Sequence, residues 1–455
     1  MTRLLAPLAL ILAAALPASA DVQRAELEAA LGKGLKWLAD LQQADGSFKL
    51  PPGQADTLEK GFPMGYTALA TLTLLKCGTP PDDPGIGRAF AHLYQLPLRR
   101  VYSVSMLALA IEARFAPPAE VKQKEHKRGY ASTARRYFGK KARKADLAKL
   151  QECVNYLLNN RAEAKTGWRY PSPKGSEDHD NSCTQYAMLA LKAASRLGIK
   201  VKPEVFEGVV DFFVAQQDPQ GPQVSPFPIP AADGPIYDMV PLKKRDKLLE
   251  KHKEQERKEA ATRERKGGGG GETAESRLFA ARGWSYLKRE LSDRPASRVG
   301  AAPQRSETTL KSTGSMTSSG VIALCIAKSE LERYPRSWRP RQEATETAIR
   351  DGCAWLAEHF QPESNPGSGG WKYYYLYSVM RAGTLAGTYR FGSHDWWEEG
   401  AAHLLEVQED QGTWPDAKGL SRLSRTCFAL LFLRRATVPL VPFPPKRVIT
   451  GSAKK

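Results

Sequence analysis

Two kinds of apolar segment alternate along the chain. In residues 147–158 the side chains Leu147, Leu150, Cys153, Val154, Leu157 and Leu158 recur every three or four positions, with polar residues between them. That spacing predicts a helix with one buried stripe and one wet face. Segments such as TQYAMLALKAA (184–194) and FALLFL (428–433) are apolar almost all round. They predict helices surrounded by protein on every side.

The alternation is a repeat. LGKGLKWLADLQQADGSF (31–48) followed by GYTALATLTLLKCG (65–78) has the same order as GAAHLLEVQEDQGTW (400–414) followed by SRTCFALLFLRRA (424–436). Each runs from an amphipathic helix through a Gln and a glycine turn ending in an aromatic to an apolar helix. Residues 86–113, 147–197, 204–217 with 315–327, and 348–386 supply four further pairs, with decay. Asp146, Ser182 and Ser315 stand where helix N-caps are expected. Six pairs of this kind predict an all-α fold, a single (α/α)6 toroid over residues 21–437. Its six amphipathic helices would form an outer ring around six apolar inner ones. The competing open solenoid needs polar end caps, and neither terminal pair reads as one.

Composition narrows the class. With 455 residues, 42% hydrophobic and 25% charged, the chain is neither disordered, collagen-like nor a multi-span membrane protein. Residues 1–20 read as a signal peptide: Arg3, then an apolar run to Leu16, then Ala18-Ser19-Ala20. The expectation is export to the periplasm or the extracellular space, with no transmembrane segment in the mature chain. Six Cys without a C-x-x-C pair, each in or beside a helical segment, read as buried free thiols rather than a disulfide framework.

The net charge of +18 suggests nucleic acid until it is located. Residues 119–146, 243–266 and 434–455 carry the whole excess, which leaves the repeat body near neutral. The basic charge therefore belongs to two expected flexible insertions, 116–146 and 218–282, and to a Pro/basic tail, 438–455. Such arms suit solubility or attraction to an anionic surface, not specific nucleic-acid readout.

The strings Gln42 to Phe48 and Gln408 to Trp414 resemble the repeats of squalene/hopene cyclases and protein prenyltransferase β subunits. GGWKYYYLYSVMRAG (369–383) and the segment that follows it look still more like exported bacterial proteins with prenyltransferase/squalene-oxidase repeats. The resemblance spans about residues 27 to 437 outside the insertions. It implies the terpenoid-cyclase type of toroid, with Trp168, Trp284, Trp371 and Trp414 locking neighbouring helix pairs. It does not imply an activity, because that repeat serves cyclases, transferases and other proteins alike.

Candidate chemistry centres on Glu177 to Thr184, which opens an inner helix. Cyclases of the resembled group carry a D-x-D-D acid there; here the string is Asp178-x-Asp180-Asn181. Asp180, with Asp178 beside it, is the candidate proton donor, and Asn181 removes the last carboxylate. The competing reading makes Asp180, Asn181 and Ser182 a helix cap. Trp168, Tyr170, Asn181, Thr184, Gln185, Trp284, Tyr286, Tyr373 and Tyr374 are candidate ligand-binding residues, most of them aromatic platforms for a lipid, an isoprenoid or a sugar. A polysaccharide hydrolase or lyase would need carboxylates drawn together from Asp178, Asp180, Asp395, Glu398, Glu399 and Asp416. A prenyltransferase zinc site needs D-x-C and a distant His, whereas this chain has Asp180-x-x-Cys183 and scattered histidines; no metal or cofactor is assigned. The leading expectation is binding of a small molecule or partner in the cavity without intact cyclase or transferase chemistry. A cyclase-like isomerase using Asp180 stands second.

Overall fold

This computed structural model describes residues 22–50, 61–115, 143–162, 166–170, 180–236, 278–286, 311–437 and 440–441. Within them the repeated segments are helices. They are α1 (Arg24–Asp40), α2 (Pro63–Cys77), α3 (Pro84–Gln95), α4 (Val101–Arg114), α5 (Lys144–Asn159) and α6 (Asn181–Arg196). The remainder are α7 (Pro203–Gln216), α8 (Gly314–Leu331), α9 (Gln342–His359), α10 (Lys372–Ala386), α11 (Trp396–Glu406) and α12 (Arg422–Leu433). The fold is all-α: the strands among the described residues are two-residue pairs, Gln223–Val224 with Phe279–Ala280 and Arg390–Phe391 with His394–Asp395.

Local chemistry sets the boundaries. Proline opens α2, α3 and α7, where its missing N–H costs nothing and its φ is already helical. Before α3, the Asp83 carboxylate accepts the N–H groups of Gly85 and Ile86. Three expected caps differ from those found. Asp180, not Ser182, caps α6, and Thr313, not Ser315, caps α8. Both true caps have the extended backbone that aims a side-chain oxygen back at the helix; the serines fall inside the first turn. Asp146 lies in the first turn of α5, where its carboxylate accepts the Tyr94 hydroxyl at 2.6 Å and meets Arg114 at 3.2 Å.

The two helix classes differ in burial as their patterns require. In α5 the stripe residues Leu150, Cys153, Val154 and Leu157 are buried. Each such side chain contributes about 1.5–3 kcal/mol relative to exposure. In α6 and α8 every residue is buried. Among the apolar-rich helices, α2 packs on α4, α4 on α6, α6 on α8, α8 on α10, α10 on α12, and α12 on α2. The amphipathic helices pack against these: α1 touches α2 and α12, α5 touches α4 and α6, and α7 and α9 both touch α8.

Repeated side chains fasten the layers. The indole N–H groups of Trp168, Trp284 and Trp414 donate to the carbonyls of Leu157, Phe213 and Leu404, at 2.6, 2.7 and 2.8 Å. All three rings are fully buried. The backbone N–H groups of Phe48, Trp168 and Trp284 donate to Thr67, Thr184 and Thr317, each near the start of the following helix. The amides of Gln42, Gln217 and Gln408 reach into the next unit, donating to the carbonyls of Gly85, Ala348 and Ala30. The last of these joins the sixth helix pair to the first.

The expected insertion 218–282 is packed at both ends. Ile229, Ala231, Ala232 and Ile236 are buried, and Gln223–Val224 pairs with Phe279–Ala280. These residues are apolar and adjoin α9, so they join the body; only the stretch between them has the basic, apolar-poor composition of an arm. Residues 237–277, the basic 119–142, the tail beyond 441, the expected signal peptide and Asp178 lie outside the described residues. All six cysteines are free thiols. Among the described residues no helix is long and apolar enough to cross a membrane.

Candidate functional site

The first two turns of α2, α4, α6, α8, α10 and α12 surround one cavity of about 410 Å³. Helix α2 contributes Tyr66 and Leu69, α4 Tyr102 and Met106, and α6 Ser182 and Tyr186. Helix α8 adds Ser315 and Met316, α10 Tyr374, and α12 Ser424 and Phe428. The loops between helices supply Phe62, Tyr170, Tyr286, Trp371 and Leu420. The described lining contains no Asp, Glu, Lys or Arg. Its polar atoms are hydroxyls and backbone; its bulk is aromatic and aliphatic.

The hydroxyls are organised on one side. Ser182 shares short hydrogen bonds with the hydroxyls of Tyr102 and Tyr374, and the Gln185 amide donates to Tyr374. Tyr186 packs against Tyr102 with ring centroids 5.1 Å apart. Burial pushes the Tyr102 and Tyr186 phenols well above their ordinary range and Tyr374 up to about 12, so all three are neutral.

Asp180 lies behind this wall. Its backbone is held to Trp168, whose carbonyl accepts the Asp180 N–H at 3.0 Å. The side chain is completely buried; Oδ1 accepts the Cys183 N–H at 2.6 Å, while Oδ2 has no hydrogen-bond partner. Burial pushes the carboxyl up to about 6, against the opposing pull of the Cys183 N–H and of the Arg169 charge. Asp180 is therefore both the helix cap and a buried weak acid. It does not itself line the cavity; Tyr170 and Tyr286 do. Asn181 donates its amide to the Ser285 carbonyl at 2.7 Å, which ties α6 to the loop carrying Tyr286.

The sequence-derived residues thus divide. Tyr170, Tyr286 and Tyr374 line the cavity, and Gln185 stands one layer behind, on Tyr374. Trp168, Trp284 and Thr184 belong to the interlocks between helices and not to the lining. Tyr373 faces away from the lining residues and donates to the Pro415 carbonyl at 3.1 Å. Trp371, expected to be a buried lock, is 41% exposed with a left-handed backbone (φ 66°) at the cavity edge. Its N–H donates to the Lys418 carbonyl, and its ring packs against Gly419, where any Cβ would come within 2.5 Å of it. A bulky residue in that conformation is strained, and such strain is found at ligand-binding sites. Tyr66, Tyr102, Tyr186, Met106, Met316 and Phe428 are cavity residues that periodicity does not reveal, because a helix buried all round gives no sign of which face meets the axis.

The described carboxylates considered for sugar chemistry have separate engagements. Asp395 caps α11 through the Glu398 N–H, Glu399 pairs with His394 at 2.9 Å, and Asp416 pairs with Arg425 at 2.6 Å. Among the described residues no group of three His, Cys, Asp or Glu is placed to hold a metal ion. No known protein family matches the sequence, and no curated protein matches it either.

Proposed function

We propose that the twelve helices close into an (α/α)6 toroid whose axial cavity binds a largely apolar ligand of lipid or isoprenoid type. Closure is supported by the cycle of neighbours from α2 round to α12 and back, and by Gln408 reaching Ala30. The observation that carries the ligand class is a lining drawn from all six inner helices, rich in aromatic rings and free of charged side chains among its described residues. Burying an apolar molecule there gains about 25 cal/mol per Å² removed from water, and the hydroxyls can orient one polar end. Sugar chemistry finds less support, since the described candidate carboxylates are engaged separately, with His394, with Arg425 and in two helix caps. Titration of the full chain with solubilised squalene, read by tryptophan fluorescence, is expected to give saturable quenching that is reduced in Trp371→Phe. Cellohexaose should give none. Saturable quenching by the oligosaccharide and not by the polyene contradicts the reading.

A second reading, proton-initiated isomerisation of a polyene, is favoured by Asp180 alone. A buried carboxyl with a pKa near 6 keeps its proton over part of the physiological range, and Tyr286 stands beside it on the cavity wall. Asn181 cannot supply the second negative charge that would hold the proton on such an acid.

A further inference from the structure

An apolar ligand leaves one buried charge unused. Arg381 on α10 is 1% exposed, its Nη1 has no hydrogen-bond partner, and no carboxylate among the described residues pairs with it. The guanidinium lies over the rings of Tyr377 and Tyr186, 3.7 and 4.7 Å from their centroids. Tyr186 lines the main cavity, whereas Tyr377 and Arg381 line a second space of about 30 Å³. The charge is therefore behind the Tyr186 wall.

Its cationic neighbours are neutralised. Lys192 meets Glu330 at 2.7 Å, and Lys76 and Arg196 meet Glu112 at 3.1 and 3.5 Å. Lys76 and Arg196 also occupy the last turns of α2 and α6, where the helix dipole favours positive charge. Arg381 stands five residues before the end of α10 and lacks that help. A guanidinium in a dry interior calls for an anion, and ring faces replace one incompletely. On the cavity side the described lining itself has no acidic side chain, Asp180 standing behind it; the hydroxyls of Tyr102, Ser182 and Tyr374 cluster, and the Tyr186 hydroxyl has no partner beyond the neighbouring Arg381 guanidinium. The first turns of six helices direct their N–H ends at the same space.

We propose that the cavity ligand carries a single oxyanion head, a carboxylate or phosphate monoester on an apolar tail, held at the Tyr186 wall with Arg381 as its counter-charge. This rests on the apolar-ligand reading above. The test is equilibrium binding of dodecanoate, dodecyl phosphate and dodecanol to the full chain by calorimetry. At least one anion is expected to bind about tenfold tighter than the alcohol, and which one it is separates carboxylate from phosphate. Arg381→Met should bring the three within about threefold of one another, while Arg381→Lys keeps part of the preference. Dodecanol binding as tightly as both anions to the unaltered chain overturns the proposal without reliance on any variant. A preference that survives in Arg381→Met removes Arg381 from the role. Binding of none of the three overturns the apolar-ligand reading itself.

Discussion

The two carboxyl oxygens of Asp180 have different surroundings. Oδ1 holds the first turn of α6, and burial of the rest raises the carboxyl from 3.8 to about 6. The folded chain therefore keeps a proton between roughly pH 4 and 6 that the unfolded chain has released. The sign follows: stability contributed by the neutral form is complete below pH 4 and is lost as pH rises through 6. Asp180→Asn keeps the capping oxygen and removes the titration. From pH 4 to 7 the unfolding free energy of the variant should gain up to about 3 kcal/mol on the wild type. Parallel curves would show that the carboxyl is not desolvated. The same variant addresses the acid reading: wild type incubated with squalene yields a cyclised product that the variant does not, and no product from wild type ends that reading. Cap and buried acid were both visible in the string 177–184; their coexistence was not, because it depends on Trp168 and Tyr286 closing over the helix start.

At the scale of elements, the fully buried indoles hold the layers together. Trp284 fits against Gly320 of α8 and Gly352 of α9, where added Cβ atoms would come within 2.5 and 2.6 Å of its ring. Trp284→Ala should cost about 3–5 kcal/mol. Trp371→Gly, which relieves a left-handed backbone and removes a half-exposed ring, should change stability by no more than about 1 kcal/mol. Denaturant unfolding of the two variants measures the contrast, and equal losses would contradict it. The amphipathic helices were legible because water on one face imposes a 3.6-residue period, as in Leu150 to Leu157. The apolar helices were legible as helices but not in orientation: nothing in α6 distinguishes Tyr186, on the cavity, from Met188, in the wall. Trp371 matched the repeat in sequence and left it in space, because Gly419 and the Lys418 carbonyl hold its backbone in a conformation that no propensity suggests.

For the whole molecule, the proposed function depends on closure. An open stack of the same hairpins would leave α2 and α12 apart and turn the cavity into a groove, with Arg381 and the hydroxyl cluster wetted and the proposed selectivity lost. Charge counted along the sequence leaves the repeat segments near neutral and puts the basic excess mostly outside the described residues, so the proposed ligand site and any attraction to an anionic surface would be separate properties of one chain. The direct measurement is the distance between the first and last outer helices. Spin labels at Lys33→Cys on α1 and Gln411→Cys after α11 read it by pulsed electron resonance. In the closed ring the backbones at Lys33 and Gly412 are in contact, and a Cβ on Gly412 would lie 2.5 Å from the Lys33 carbonyl carbon. A closed ring gives a single narrow distribution below about 25 Å once label length is included. Six hairpins stacked about 8–10 Å apart in an open array would place the labels roughly 50 Å apart, and that result would contradict the closed ring and the cavity with it.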